Sequence, residues 1–237
     1  MLAGDAVANV RSSVAYHKNT PPEVLEMLAS DPCPEVRRDV AFNPNTPLKV
    51  LELLAYDEDD DVRFHVGNNF HTPAKALEML AKDDCAEVRT AVANNVAIPS
   101  YALVGLSHDS EWRARRNVAS NHKTPSVLLV LLQFDPVNEV REAVAGNRRT
   151  PPHVLERSAR DEIMRVRLEV AGNPHTPPHV LAELAKEKHY HVRLEVAGNL
   201  NTPPEVLAEL AKDENAYVRH LASCNPQYKE SEKQNGN

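Results

Sequence analysis

The sequence predicts an all-α solenoid of about nine 26-residue, two-helix repeats, and three observations carry that prediction. Arginine recurs every 26 residues, at Arg11, Arg37, Arg63, Arg89, Arg115, Arg141, Arg167, Arg193 and Arg219. Asparagine comes six positions after each, from Asn43 to Asn225, and only His17 departs. Thr-Pro keeps the same register from Thr20-Pro21 to Thr202-Pro203, with Ile98-Pro99 the exception. An acid closes each repeat, at Asp31, Asp57, Asp83, Asp109, Asp135, Asp161, Glu187 and Asp213. No insertion breaks the period, so each repeat is one structural unit that buries its apolar face by stacking on its neighbours.

Within a repeat, the helix after Thr-Pro carries an apolar stripe, exemplified by Val24, Leu25, Leu28 and Ala29. Threonine is expected to cap it, with proline at the first helical position, where a missing N–H costs nothing. Glu23 and Glu205 would complete capping boxes with Thr20 and Thr202. The preceding helix carries Val36, Val40 and Ala41 and is expected to end near Asn43 in a left-handed residue. Leu2, Ala3 and Asp5 match the close of a repeat, so the first repeat is half present and no dedicated polar cap precedes it. The repeats are expected to form one solenoid over residues 1–226, and residues 227–237 a disordered polar tail.

Composition narrows the function. Aromatic residues make up 5% of the chain and the net charge is −7, which weighs against general nucleic-acid binding. Between Arg113 and Arg167, however, 11 Lys and Arg face 6 Asp and Glu, a local excess of five positive charges. No run of 18 apolar residues is present, so no membrane association is expected. The first residues lack the basic and apolar parts of a signal peptide. The three cysteines, Cys33, Cys85 and Cys224, are too few for a disulfide framework, and a cytoplasmic setting is expected.

The segments "VRRDVAFNPNTPLKVLELLAYDEDDD" and "VRLEVAGNPHTPPHVLAELAKEKHYH" resemble the leucine-rich repeat variant family, over nearly the whole chain from Leu2 to Pro226. The resemblance implies a right-handed α-α superhelix, similar to HEAT and armadillo arrays, in which one helix of each pair is a short 3-10 helix. Some relatives carry a cysteine cluster for an iron–sulfur centre. This chain has no such cluster, and the resemblance supplies no activity.

Most of the conspicuous residues read as architecture. The arginine column should bridge the acids or carbonyls of neighbouring repeats, and the asparagine column is likewise structural. His153 and His179 fall roughly 10 Å apart by helix packing, too far to share a zinc. The pairs His175/His179 and His189/His191 lack a third ligand. The acidic run from Asp57 to Asp61 lacks the spacing of a calcium loop. Phosphate-loop, nucleophile-elbow and zinc-protease patterns are absent. The expected cofactor and metal content is therefore none, and no catalysis is expected.

The departures from the repeat mark the candidate partner-binding site. On the outward stripe of the second helix, Lys75, Glu78 and Lys82 are typical. Their equivalents in the next repeats are Tyr101, Val104 and His108, then Val127, Val130 and Phe134. Stacking would set these side by side as an apolar patch. Gly105 lies within that helix. Trp112 stands nearby, with a basic flank of Arg113, Arg116, Lys123, Arg148 and Arg149. A second candidate surface is the exposed face of the first helices, with Phe64, His65, Arg116, Leu168 and Leu194, where Gly146, Gly172 and Gly198 thin one edge. The function expected is a non-catalytic protein–protein interaction scaffold whose partner offers an apolar segment with acidic flanks. Self-association through the same patch is the related possibility. The alternative is nucleic-acid binding by a HEAT-like groove, favoured by the basic stretch and opposed by the net acidity.

Overall fold

The computed structural model describes residues 2–235, with side chains through Glu230. All regular structure among them is helical. The chain divides into two compact units, residues 1–123 and 124–237.

The first unit opens on a 3-10 helix, Leu2–Gly4. Nine-residue helices then alternate with shorter ones: Ala8–Tyr16, Pro22–Leu28, Pro34–Phe42, Leu48–Leu54, Asp60–Asn68, Ala74–Leu80, Ala86–Asn94, Ala102–Leu106 and Trp112–Ser120. The second unit continues the alternation from Ser126–Leu132 through Asn138–Gly146, Pro152–Ser158, Met164–Gly172, Pro178–Leu184, Tyr190–Gly198 and Pro204–Leu210 to Ala216–Cys224. Both members of each pair are α-helical. The 3-10 alternative implied by the family resemblance is met only at Leu2–Gly4 among the described residues. A helix spans Pro226–Asn235, and Tyr228 packs on the core.

Stacking runs along the apolar columns. Leu25, Leu51, Leu77 and Leu103 in the first unit are fully buried, as are Leu129, Leu155, Leu181 and Leu207 in the second. The valines of the long helices, such as Val62, Val66, Val166 and Val170, are buried with them. Each such side chain contributes about 1.5–3 kcal/mol relative to exposure. Within each unit, successive nine-residue helices pack directly on one another. Gly67 marks one tight approach: a Cβ there would stand 3.2 Å from Val92 Cγ2.

Polar columns finish the helix ends, by a different chemistry from that expected. The last carbonyls of an α-helix have no partner within it. Here Thr20, Thr46, Thr72, Thr150, Thr176 and Thr202 each donate the hydroxyl to the valine carbonyl six residues earlier, in the long helix just completed. Threonine therefore closes the helix behind it and does not cap the one ahead. The N-cap is the following proline, extended and without a side-chain cap bond, so Glu23 and Glu205 form no capping box. Asparagine does not take the left-handed conformation either. Asn43 has φ −66° and ψ 128°, and no described residue has positive φ. Its side chain acts across the stack. Asn43 Nδ2 donates to Ala15 O at 2.7 Å and His17 O at 3.0 Å, in the previous repeat, while Oδ1 accepts from Asn45 N. Asn69, Asn95 and Asn121 repeat the donor pattern in the first unit. Asn173, Asn199 and Asn225 repeat it in the second.

Candidate docking surfaces

The arginine column forms a continuous ladder within each unit. Arg63 Nε and Nη2 hold Asp83 at 2.7 and 3.1 Å, and Nη1 donates to Asp57 O at 2.8 Å. The pattern recurs from Arg11–Asp31 to Arg89–Asp109, and again from Arg141–Asp161 to Arg193–Asp213, with Glu187 taking the acid's place opposite Arg167. Each planar guanidinium thus ties one repeat's acid carbonyl to the next repeat's carboxylate, the two-pronged geometry that arginine suits best. The acids also accept from the N–H two residues on, as Asp83 does from Cys85. The acidic run is absorbed in the same way: Asp57 is a ladder acid and Asp59 caps the helix Asp60–Asn68 by accepting from Val62 N. Among the described residues, no fully buried side-chain nitrogen or oxygen lacks a hydrogen-bond partner. None of their His, Cys, Asp and Glu side chains gather in threes or more to hold a metal.

The proposed partner-binding residues divide between the two units. In the first, Tyr101 and Val104 are exposed on the five-residue helix Ala102–Leu106 and its approach. This helix is shortened where Ile98, fully buried, replaces the threonine. The Tyr101 hydroxyl donates to Glu78 at 3.0 Å. Trp112 is half-buried under the Arg113 guanidinium, 4.9 Å from the ring centre, and Arg113 also pairs with Glu111. Arg116 is exposed, whereas Lys123 is half-buried with Nζ 3.4 Å from Ile98 O.

In the second unit, Val127 and Phe134 are 68% and 59% exposed, while Val130 is half-buried. The exposed partner on that face is Leu131, at 44%. The columns pointed to Val130 because it stands in register with the charged Glu78, whereas here the helix turns the neighbouring Leu131 outward. Phe134 opens onto a groove of about 690 Å³ that His153, Arg157 and Arg160 also line. Arg157 lies over the Phe134 ring at 4.3 Å. Arg148 and Arg149 are exposed in the loop after Asn138–Gly146.

The other surface, on the long helices, was only partly legible. Tyr16 and Phe42 stack with their rings 5.5 Å apart and 3° from parallel. His65 meets Phe42 edge-on at 6.0 Å and Phe64 at 5.3 Å. Tyr16, Phe42, His65 and Phe70 line a groove of about 650 Å³ in the first unit. Tyr16 and Phe42 share one column, and that coincidence of aromatics was the available signal. In the second unit the same column holds Gly146, Gly172 and Gly198, where side chains from the next repeat lie alongside. Glu169, facing Glu142 and Glu195 there, is pushed above the usual carboxylate range by burial and by those two neighbours.

Two segments, residues 8–32 and 190–215, match the family model described as leucine rich repeat variant. Those two segments carry leucine rich variant repeats. A solved structure titled as a leucine-rich repeat variant with a novel repetitive protein structural motif is similar to it at 26% identity. That match covers 92% of this chain and 87% of the other, with a TM-score of 0.66. An Escherichia coli protein from a structural genomics consortium is similar at 16% identity, over 93% and 88% of the two chains, with a TM-score of 0.49. An engineered protein is similar at 16%, over 94% and 85%, with a TM-score of 0.43. No curated protein matches the sequence significantly. The arginine, asparagine and threonine columns are accounted for by the bonds that join repeats and close helices. Among the described residues, no helix of these repeats is long and apolar enough to cross a membrane.

Proposed function

We propose that this chain is a non-catalytic protein-binding scaffold, and that its second unit docks an apolar segment with acidic flanks. The observation that carries the reading is the strip of Val127, Leu131 and Phe134 beside a groove lined by His153, Arg157 and Arg160. Three large apolar side chains aligned on one exposed helix and its end are more than isolated surface residues. Arg157, over the Phe134 ring, is the cation placed to meet an acidic flank, whereas Arg160 is paired with Glu183 and Glu156 also lines the groove. Tyr101, Val104, Trp112, Arg113 and Arg116 are the contacts this reading assigns to the first unit. The non-catalytic reading is supported by the columns: their arginine, acid and asparagine side chains are engaged in joining repeats and their threonines in closing helices. A reducing, cytoplasmic setting belongs to the proposal, with Cys33, Cys85 and Cys224 as free thiols.

The double substitution Val127→Glu and Leu131→Glu tests it. Both side chains are well exposed, so the melting temperature is expected to stay within about 2 °C of wild type. Proteins captured by the full chain and quantified by mass spectrometry are expected to fall at least about tenfold, equivalent to about 1.4 kcal/mol. Unchanged capture would sink the reading. A wild-type dimer that becomes a monomer in the variant would assign the strip to self-association. Retained binding that weakens steeply with salt would favour nucleic acid.

A further inference from the structure

We propose that the aromatic groove of the first unit is a second docking site, for an extended peptide of another protein carrying an aromatic or branched aliphatic side chain beside a carboxylate. The groove lies at the ends of three successive long helices and the loops that succeed them. Its walls are Tyr16, Phe42 and Phe70, all 50–60% exposed. Such rings offer a large apolar contact area that water covers poorly, and they are the side chains that dominate recognition energies elsewhere.

The polar groups of the groove say what the rest of the occupant must be. The whole chain carries a net charge of −7, yet no Asp or Glu lines this groove, and Lys18 does. An occupant with a carboxylate next to its apolar side chain meets complementary charge there; one with a basic flank meets Lys18. The two imidazoles are already oriented. His17 Nδ1 accepts from Asn19 N at 3.2 Å, which leaves Nε2–H as its donor. His65 Nδ1 lies 2.7 Å from Asp61 O and must donate to that carbonyl, which leaves Nε2 as an acceptor in the neutral ring. One free donor and one free acceptor match a peptide backbone, which presents both kinds of group at every residue. A phosphate backbone presents acceptors only. His17 is also the single departure from the asparagine column. An imidazole stands there in place of the amide.

The test uses the full chain immobilised and a display library of random twelve-residue peptides, with each recovered peptide then titrated by fluorescence polarisation. Recovered sequences are expected to share an aromatic or branched aliphatic residue with Asp or Glu within three positions. Phe42→Ala combined with Phe70→Ala is expected to weaken these peptides at least about tenfold, as loss of central aromatic anchors does. Lys18→Glu leaves the apolar walls in place. It is expected to keep the aromatic preference while removing the acidic one, a change that misfolding cannot produce. The strip on Ser126–Leu132 is untouched by these variants, so this site stands or falls separately from the scaffold function of the second unit. Recovery of no common sequence, or of basic peptides, would overturn the proposal. So would tighter binding of an oligothymidine than of any peptide, or a dimer abolished by Phe42→Ala.

Discussion

Asn95→Leu is expected to destabilise the first unit by about 3–5 kcal/mol, far more than its modest change in volume implies. Asn95 is 5% exposed. Its Nδ2 donates to Gly67 O at 2.7 Å and to Asn69 O at 2.9 Å, and its Oδ1 accepts from Ala97 N at 2.8 Å. Leucine leaves Gly67 O and Ala97 N without a partner, while Asn69 O keeps only the bond from Thr72 N, and each unpaired buried group costs about 1–3 kcal/mol. At about 2–4 °C per kcal/mol for a chain of this size, the unfolding midpoint should fall by roughly 10 °C. Asn95→Asp is the sharper control. It keeps the shape and the acceptor for Ala97 N, but at neutral pH it sets a carboxylate against two carbonyls and should be at least as damaging as leucine. Asn94→Ala, on the exposed neighbour, should move the midpoint by no more than about 2 °C. Equal midpoints for Asn95→Leu and Asn94→Ala, measured by circular dichroism, would mean that the asparagine column does not join repeats.

That column shows how far sequence reading reaches in such a chain. A residue type fixed at a 26-residue spacing announces a structural duty, and the arginine and acid columns allowed the duty itself to be named, because opposite charges pair in few ways. Thr20 and Asn43 were misassigned in detail for a physical reason. Hydroxyls and short amides serve either the helix ahead or the helix behind, and sequence order does not say which. Threonine turned back to the valine carbonyl six residues earlier, and the prolines were left as N-caps. The exposure of Leu131 was not read from the columns because a seven-residue helix exposes two neighbouring columns. The groove of Tyr16, Phe42 and Phe70 was missed because Phe70 stands in another column, just past the asparagine. Phe64 and His65 had marked that face, but depth and enclosure are properties of the stack, and no single column records them.

Acid should dissolve the same architecture through its other ladder. Asp57, Asp83, Asp109 and Asp161 are partly withdrawn from water, and burial alone would raise their carboxyl groups. The hydrogen bonds from the paired arginine, the N–H two residues on and the charges of flanking arginines outweigh that and hold them below the usual carboxylate range. For Asp31 and Asp213 the arginine hydrogen bond is itself the largest influence, and they too are lowered. A carboxyl lowered in the folded state stabilises above its unfolded value, about 3.9, and that stabilisation is lost as pH falls through the folded value. The urea midpoint should therefore be level from about pH 7 to 5 and drop steeply below about pH 4, with several aspartates contributing at once. Asp83→Asn isolates one rung. Its side chain is 8% exposed and bonded by Arg63, so losing the charge should cost about 2 kcal/mol at pH 7. The difference from wild type should close as pH falls through the lowered folded value of the aspartate, where the native side chain is itself protonated. Glu169 carries the opposite sign. Raised by burial and by Glu142 and Glu195, it favours the folded state below its unfolded value and loses that as pH rises through the folded one. Glu169→Gln should thus be neutral or slightly stabilising at pH 7. Parallel pH profiles for wild type and Asp83→Asn would show that the rungs are decoration, and that apolar stacking alone sets the stability of the repeats.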